Sequence, residues 1–190
     1  VQTCALPIYR LLHNSYYDDL TGVYNRNRYL QDLNQLNGRQ IPLGIVYMDI
    51  NGLKDINDHL GHTYGDKVLT EGASILKKVF NTGAIYRIGG DEFVVFVQGM
   101  QEQEFLEQVG ILKQAIIGSA NCKGAIGHIW TSTCQDISSR ITDADEYMYQ
   151  DKMQFYRKNP NSNRYRCCND TVLQLADRSV LKIGRASCRE

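Results

Sequence analysis

No apolar run in this 190-residue sequence approaches the ~20 residues that a helix needs to cross a bilayer, so a membrane-spanning segment is excluded within this stretch. An excess of one charge is absent too, because 21 basic side chains balance 21 acidic ones. A nucleic-acid-binding domain held by phosphate attraction would show a basic excess, and that class is set aside. None of the six cysteines falls in a C-x-x-C pair, which leaves no signature of a closed zinc site. Six thiols in 190 residues also make no disulfide framework. Internal repeats and low-complexity segments are missing. What is present is an ordinary globular composition, 43% hydrophobic and 22% charged, at a length that corresponds to one domain.

The two ends share no pattern with their neighbours. Residues 1–8 (VQTCALPI) and 182–190 (KIGRASCRE) both resemble translated sequencing-library adapter DNA, one from each arm, and are set apart as scars. The native piece is then 9–181, a fragment of an open reading frame, with a domain over 9–160 and a tail or linker over 161–181. Cys4 and Cys188 leave with the scars. Cys122, Cys134, Cys167 and Cys168 fit a reducing cytosol, and the adjacent Cys167 and Cys168 are read as incidental thiols.

Periodicity orders the interior. Residues 25–36 read as a helix, with Tyr29, Leu30, Leu33 and Leu36 at three- and four-residue spacing. The run 41–50 (IPLGIVYMDI) is nearly all apolar and reads as a central strand. One or two helical turns follow over 51–60, then a longer helix over 64–80 with an apolar stripe of Val68, Leu69, Ala73, Leu76, Val79 and Phe80. Strands at 84–88 and 92–97 flank Gly89-Gly90, a hairpin signal because Gly-Gly tolerates positive φ. A helix over 102–117, a strand over 124–130 and an amphipathic helix over 143–158 complete the order. The expected architecture is α+β: a mostly antiparallel central sheet flanked by helices, with the helices on one side in two layers.

The chemistry concentrates in the middle third. Asp49 closes the apolar strand, and Asp91 and Glu92 follow the Gly-Gly turn, so pairing of the two strand regions would bring three carboxylates to one sheet edge. A hard cation such as Mg²⁺ takes one or two carboxylates together with substrate phosphates. The glycine pair lets backbone approach a bulky anion. Asn51-Gly52 turns the chain off the strand into a helix start whose free N–H groups suit phosphate, and Lys54 lies on that turn. A calcium loop beginning at Asp49 fails, because Leu53, Lys54 and Leu60 stand where a ligand, a turn glycine and a bidentate Glu belong. His59 and His62 have no Cys or third His nearby, which argues against zinc.

Arg87-Ile-Gly-Gly-Asp-Glu-Phe93 resembles the full signature of the GGDEF family, the diguanylate cyclases. Asp18-Asp-Leu-Thr-Gly-Val-Tyr-Asn-Arg26 is similar to the family's D-x-L-T-G-x-x-N-R. The stretch from Asp49 to Asp66 and Ala144-Asp-Glu-Tyr-Met-Tyr-Gln-Asp-Lys152 extend the likeness over about residues 16–158. The resemblance implies a fold similar to adenylyl cyclase and polymerase palm domains. It implies condensation of two GTP into cyclic di-GMP and pyrophosphate, with each of two facing domains holding one GTP. It implies two Mg²⁺ per GTP, with Mn²⁺ as a substitute, held by Asp49, the carbonyl of Ile50 and Asp91. Asp91, Glu92 and Lys54 would be catalytic. Asn57, His62, Asp66, Lys152, Gly89 and Gly90 would bind substrate, with Asn57 and Asp66 on the guanine edge and Lys54 and Lys152 on phosphate. The partners implied are GTP, a second copy of the domain and a fused sensor, in a bacterial cytoplasmic protein or the cytoplasmic part of a membrane-bound sensor.

Three departures qualify the likeness. The product-inhibition motif R-x-x-D is replaced by Phe80-Asn-Thr-Gly83, so that inhibitory site is expected to be missing. In the last helix the family's Arg falls four residues after the Lys, whereas here Arg157 comes one place late after Lys152. Asn51 replaces the commoner second Asp of the strand end. The leading expectation is an active cyclase. The alternatives are a catalytically silent GTP-binding module that regulates a neighbouring domain, and a scaffold for dimerisation.

Overall fold

A computed structural model describes residues 15–158. The expectations for 1–8, 161–181 and 182–190, and for Cys167 and Cys168, lie outside the described residues. Helix α1 spans Arg26–Leu36. Asn25 starts it, its side-chain oxygen accepting from the amides of Asn27 (3.0 Å) and Arg28 (3.2 Å), a cap that satisfies two otherwise orphaned donors. Strand β1 is Leu43–Ile50, beginning two residues later than its apolar pattern because Pro42 has no N–H to give a ladder. Helices α2 (Leu53–Leu60) and α3 (His62–Val79) follow. Strands β2 (Ala84–Arg87) and β3 (Glu92–Gln98) flank the Gly-Gly turn. Helix α4 (Glu102–Gly118), strand β4 (Gly124–Thr131) and helix α5 (Ile137–Lys158) complete the order.

The sheet runs β2-β3-β1-β4, and every pairing is antiparallel. This is the α+β class expected from the order of elements. The expectation of helices on one side is corrected. Val46, Met48 and Ile50 of β1 point into one core with Val68, Leu76, Phe105 and Leu112, whereas Ile45 and Tyr47 point into another with Tyr29, Leu36, Ala144 and Met148. Helices α3 and α4 thus cover one face and α1 and α5 the other. The reason lies in β1 itself: all eight of its residues are buried. A strand apolar at every position needs cover on both faces. Each fully buried Leu, Ile, Val or Met there contributes ~1.5–3 kcal/mol, so the strand that carries Asp49 is among the firmest parts of the molecule.

Helix α5 begins at Ile137, six residues before its amphipathic pattern is legible. Asp136 accepts from the Ser139 amide at 3.1 Å, and this capping contact holds a Ser- and Thr-rich first turn of poor intrinsic propensity. One of the two reasons expected for the Gly-Gly turn, tolerance of positive φ, is corrected. Neither Gly89 nor Gly90 has positive φ. A Cβ on Gly89 would collide with the Glu92 carboxylate, while one on Gly90 would enter open space. At Gly89 close approach of the Glu92 side chain, not backbone handedness, is what the glycine permits.

Candidate functional site

The register of the central strands assembles the three acids. Asp49 is the cross-strand partner of Glu92, and the Ile50 amide donates to the Asp91 carbonyl at 3.0 Å. Beside them lies a cavity of about 440 Å³ lined by Arg26, Tyr29, Tyr47, Asp49, Gly89, Gly90, Asp91, Glu92 and Lys152. The last of these, expected on phosphate, also meets the strand end: Lys152, on α5, places Nζ 2.6 Å from Asp49 Oδ2, a pairing that sequence separation hid. Asp49 Oδ1 is buried and accepts no hydrogen bond. Burial above all raises the Asp49 carboxyl, Lys152 pulls it down and Asp91 and Glu92 push it up, and the balance leaves it at about 6.

The Gly-Gly turn is held from behind. Arg87 donates to the Gly90 carbonyl through Nη2 (2.7 Å) and Nε (3.2 Å), while its Nη1 donates to both Asp18 oxygens at 3.1 and 3.2 Å. Burial works against an ionised Asp18, yet hydrogen bonds from Thr21 and the Arg87 guanidinium outweigh it and hold that carboxyl below the usual range. The amino-terminal D-x-L-T-G stretch is therefore a brace for the turn. Its role was missed in the sequence because nothing along the chain relates residue 18 to residue 90. Arg26, Tyr29 and Tyr47 line the cavity and were missed for the same reason.

A second group stands apart. Gly52, at φ +71°, turns the chain from β1 into α2. This is a left-handed conformation that favours glycine. Lys54 is exposed on the first turn of α2, and His62 and Asp66 are exposed near the start of α3. Asn57 lies between the two helices, its buried Oδ1 accepting no hydrogen bond and pressed against Gly65. Asp66 lines a separate, wider depression with Leu20, Thr63 and Thr70. None of Lys54, Asn57, His62 and Asp66 lines the cavity at the turn. The fold thus brings together Asp49, Asp91, Glu92, Gly89, Gly90 and Lys152, and sets the other four on the helical hairpin that leaves the same strand end. Arg157 is exposed, and buried Tyr156 occupies the inward position ahead of it.

Which residues fit a metal depends on the donor set. Among the described residues no group of three or more His, Cys, Asp and Glu is placed to hold an ion. The His59 ring contacts the Asp55 carbonyl within its own helix instead. A buried carboxylate oxygen without a donor, beside two further acids, nevertheless suits a hard cation that draws the rest of its shell from phosphate and water. Asp49 and Asp91 are the side chains that fit. Among the described residues no helix is long and apolar enough to cross a membrane.

Comparison with known proteins bears on the family and the fold. Residues 15–158 match the family model described as diguanylate cyclase, GGDEF domain. The chain is 33% identical over 150 residues to a probable diguanylate cyclase, DgcI, of Escherichia coli, covering 76% of this chain and 33% of that protein. It is 29% identical over 162 residues to the diguanylate cyclase DgcS of Shewanella oneidensis, covering 78% of this chain and 53% of the relative. The chain therefore spans about a third of one curated relative and about half of the other. The crystal structure of the coiled coil and GGDEF domain of DgcB from Caulobacter crescentus, in complex with c-di-GMP, superimposes with a TM-score of 0.67 at 18% identity. It covers 83% of this chain and 88% of that one, and shares the fold.

Proposed function

The chain belongs to the diguanylate cyclase GGDEF family, and from that premise we propose that it condenses two GTP into cyclic di-GMP and pyrophosphate. The observation that carries the proposal is Asp49: a buried carboxylate with one donorless oxygen, set against Asp91 and Glu92 on a turn open to an anion. Burying such a charge is unfavourable unless a counter-ion compensates it. Asp49, Asp91 and the carbonyl of Ile50 would hold Mg²⁺ or Mn²⁺. When bound, the metal polarises the α-phosphate and eases ionisation of the 3′-hydroxyl that attacks it.

The chain's own residues do the rest. Gly90 leaves room for the triphosphate to approach backbone, and Lys152 and Lys54 supply ammonium groups to it. Asp91 and Glu92 keep the site negative, so that a nucleotide enters with its cation. Asn57 and Asp66 form hydrogen bonds with the guanine edge, with His62 beside them. Each domain holds one GTP, so a second copy must face the first for the two 3′-hydroxyls to reach the two α-phosphates. Incubation of the purified protein with GTP and Mg²⁺, with chromatographic detection of cyclic di-GMP, tests the reading.

A second reading is a module that binds GTP without turning it over. The observation in its favour is at the end of α5, where buried Tyr156 and exposed Arg157 deprive the triphosphate of one guanidinium. Tight binding of GTP with no product at high protein concentration would select it.

A further inference from the structure

Helix α5 delivers Lys152 to Asp49 across a distance of more than a hundred residues in sequence, and its placement depends on how it is fixed to β4. The contact at Gly127 is one fixing point. A side chain there would run into the Ala144 carbonyl and the Met148 backbone, so the helix lies directly on the strand. The second point is one turn further along. Asp151 Oδ2 accepts from the Ile126 amide at 2.8 Å. Among the described residues strand β4 is at the edge of the sheet, and its only sheet neighbour is β1. The Ile126 amide is thus bound by a side chain of α5 and not by another strand. Ile126 follows Ala125, which is the cross-strand partner of Asp49. Asp151 precedes Lys152.

We propose that Asp151 is a positioning residue for Lys152: its bond to the Ile126 amide sets the rotation and axial register of α5, so that the next side chain meets Asp49 and the nucleotide phosphates. The Gly127 contact and the buried Ala144 and Met148 seat the helix on the sheet, but apolar packing tolerates small rotations and shifts along the axis. A hydrogen bond from a side chain to one edge amide removes both freedoms, because the acceptor must meet a single N–H with a narrow range of angles. The bland account is that Asp151 merely satisfies an edge donor that water would otherwise satisfy. That account predicts an effect on stability that is independent of Lys152.

The proposal rests on the reading of Lys152 as a phosphate ligand, and a double-mutant cycle separates the two. The measurement is the affinity of the full chain for a non-hydrolysable GTP analogue with Mg²⁺, which needs no turnover. D151A is expected to weaken binding by about fivefold, within the range of couplings between neighbouring groups. In a K152M background the same substitution is expected to change nothing, since it acts through the ammonium. Equal losses in both backgrounds would overturn the strut. K152M binding as tightly as the wild type would overturn the phosphate reading itself, and the strut with it. If D151A does not fold, D151N and D151E carry the test. Asn keeps an acceptor at the same reach and is expected to bind like the wild type, whereas Glu keeps the charge one methylene further out and is expected to bind like the alanine variant. The reverse pattern would mean that charge and not register is what Asp151 supplies, and would overturn the proposal.

Discussion

The two halves of the candidate site differ in how they treat polar groups. At the end of β1 the central carboxylate is buried, crowded and braced: Asp49 is 5% exposed, faces the half-buried Asp91 and Glu92, and is gripped by Lys152. On the α2–α3 hairpin Lys54, His62 and Asp66 stand in solvent, and only Asn57 is partly enclosed. On the proposed function, the difference follows from what each half would do. Charge is worth most against a reacting phosphate when it is preorganised away from water, and the molecule accepts a strained buried carboxylate to have it. Reading a base needs only directional hydrogen bonds formed as the ligand arrives, so those groups can stay solvated. On that reading one half would be set before substrate binds, and the other would be completed by it.

The largest effect should come from the preorganised half. D49N or D91N is expected to reduce cyclic di-GMP formation by at least about a thousandfold, because a neutral amide cannot offset divalent charge at the reacting phosphate. Circular dichroism and thermal melting should show the fold retained. Near-normal turnover of either variant would remove the distinction between the halves.

The solvated half should respond in binding. N57A and D66A are each expected to raise KM for GTP by about ten- to a hundredfold, the value of one or two hydrogen bonds to a charged or buried group, with a smaller change in kcat. ATP should be a poor substrate for the wild type, because a site built to hydrogen-bond one group discriminates against its absence. Steady-state kinetics with both nucleotides decides this. Equal turnover of ATP and GTP would mean that the hairpin reads no base.

A smaller effect lies in the pH dependence of stability. The Asp49 carboxyl rises from 3.8 in the unfolded chain to about 6 in the folded one, with burial as the largest cause. A raised folded value means that the native state binds the extra proton. The stabilisation is therefore complete below the unfolded value and is lost as pH climbs through about 6. Without added metal, the difference in unfolding free energy between wild type and D49N should shift against the wild type by roughly 1–3 kcal/mol from about pH 4 to about pH 8. Saturating Mg²⁺ should reverse the trend by favouring the ionised carboxylate. Denaturant unfolding at the two pH values measures it, and a constant difference would show that Asp49 is not under electrostatic strain.

How much of this was legible beforehand depended on the range of the interaction. Element types came from local pattern, and so did the meeting of Asp49 with Glu92, because two strand ends and a short turn leave few ways to pair. The unbroken apolar run of β1 already implied cover on both faces, although the order of helices alone suggested one. The hairpin at the Gly-Gly pair was legible but the expected positive φ was not found, since φ is not written in a Gly-Gly pair and the approach of the Glu92 side chain depends on the folded hairpin. Lys152 on Asp49, Arg87 between Asp18 and Gly90, and Asp151 on Ile126 are contacts between distant parts of the chain. No periodicity encodes them, and only the packing of α5 and the amino-terminal stretch on the sheet creates them.

The smallest expected effect is that of added product. Members of the family that are inhibited by cyclic di-GMP carry R-x-x-D ahead of the signature, where Arg supplies bidentate donors. Here the corresponding residues are Phe80 and Gly83, and the fold has given both to packing. Phe80 is 1% exposed within the core, and a Cβ on Gly83 would come within 3.1–3.3 Å of Val95, Phe80 and Val97. Charge-assisted hydrogen bonds at ~1.5–3 kcal/mol each are absent from those positions, so micromolar cyclic di-GMP should leave the initial rate unchanged. Control should come from the meeting of two domains, and specific activity should fall on dilution. Progress curves with and without added product, at two protein concentrations, test both statements. Potent non-competitive inhibition would reveal a second binding site elsewhere, and activity indifferent to dilution would mean a dimer that does not dissociate in that range. Installing the motif should not restore inhibition either: F80R with G83D would drive a guanidinium into the core against Phe105, at a cost of about 3 kcal/mol or more. The variant should unfold at lower denaturant before it gains any affinity for product, because residue 80 belongs to the face that holds β1 in place.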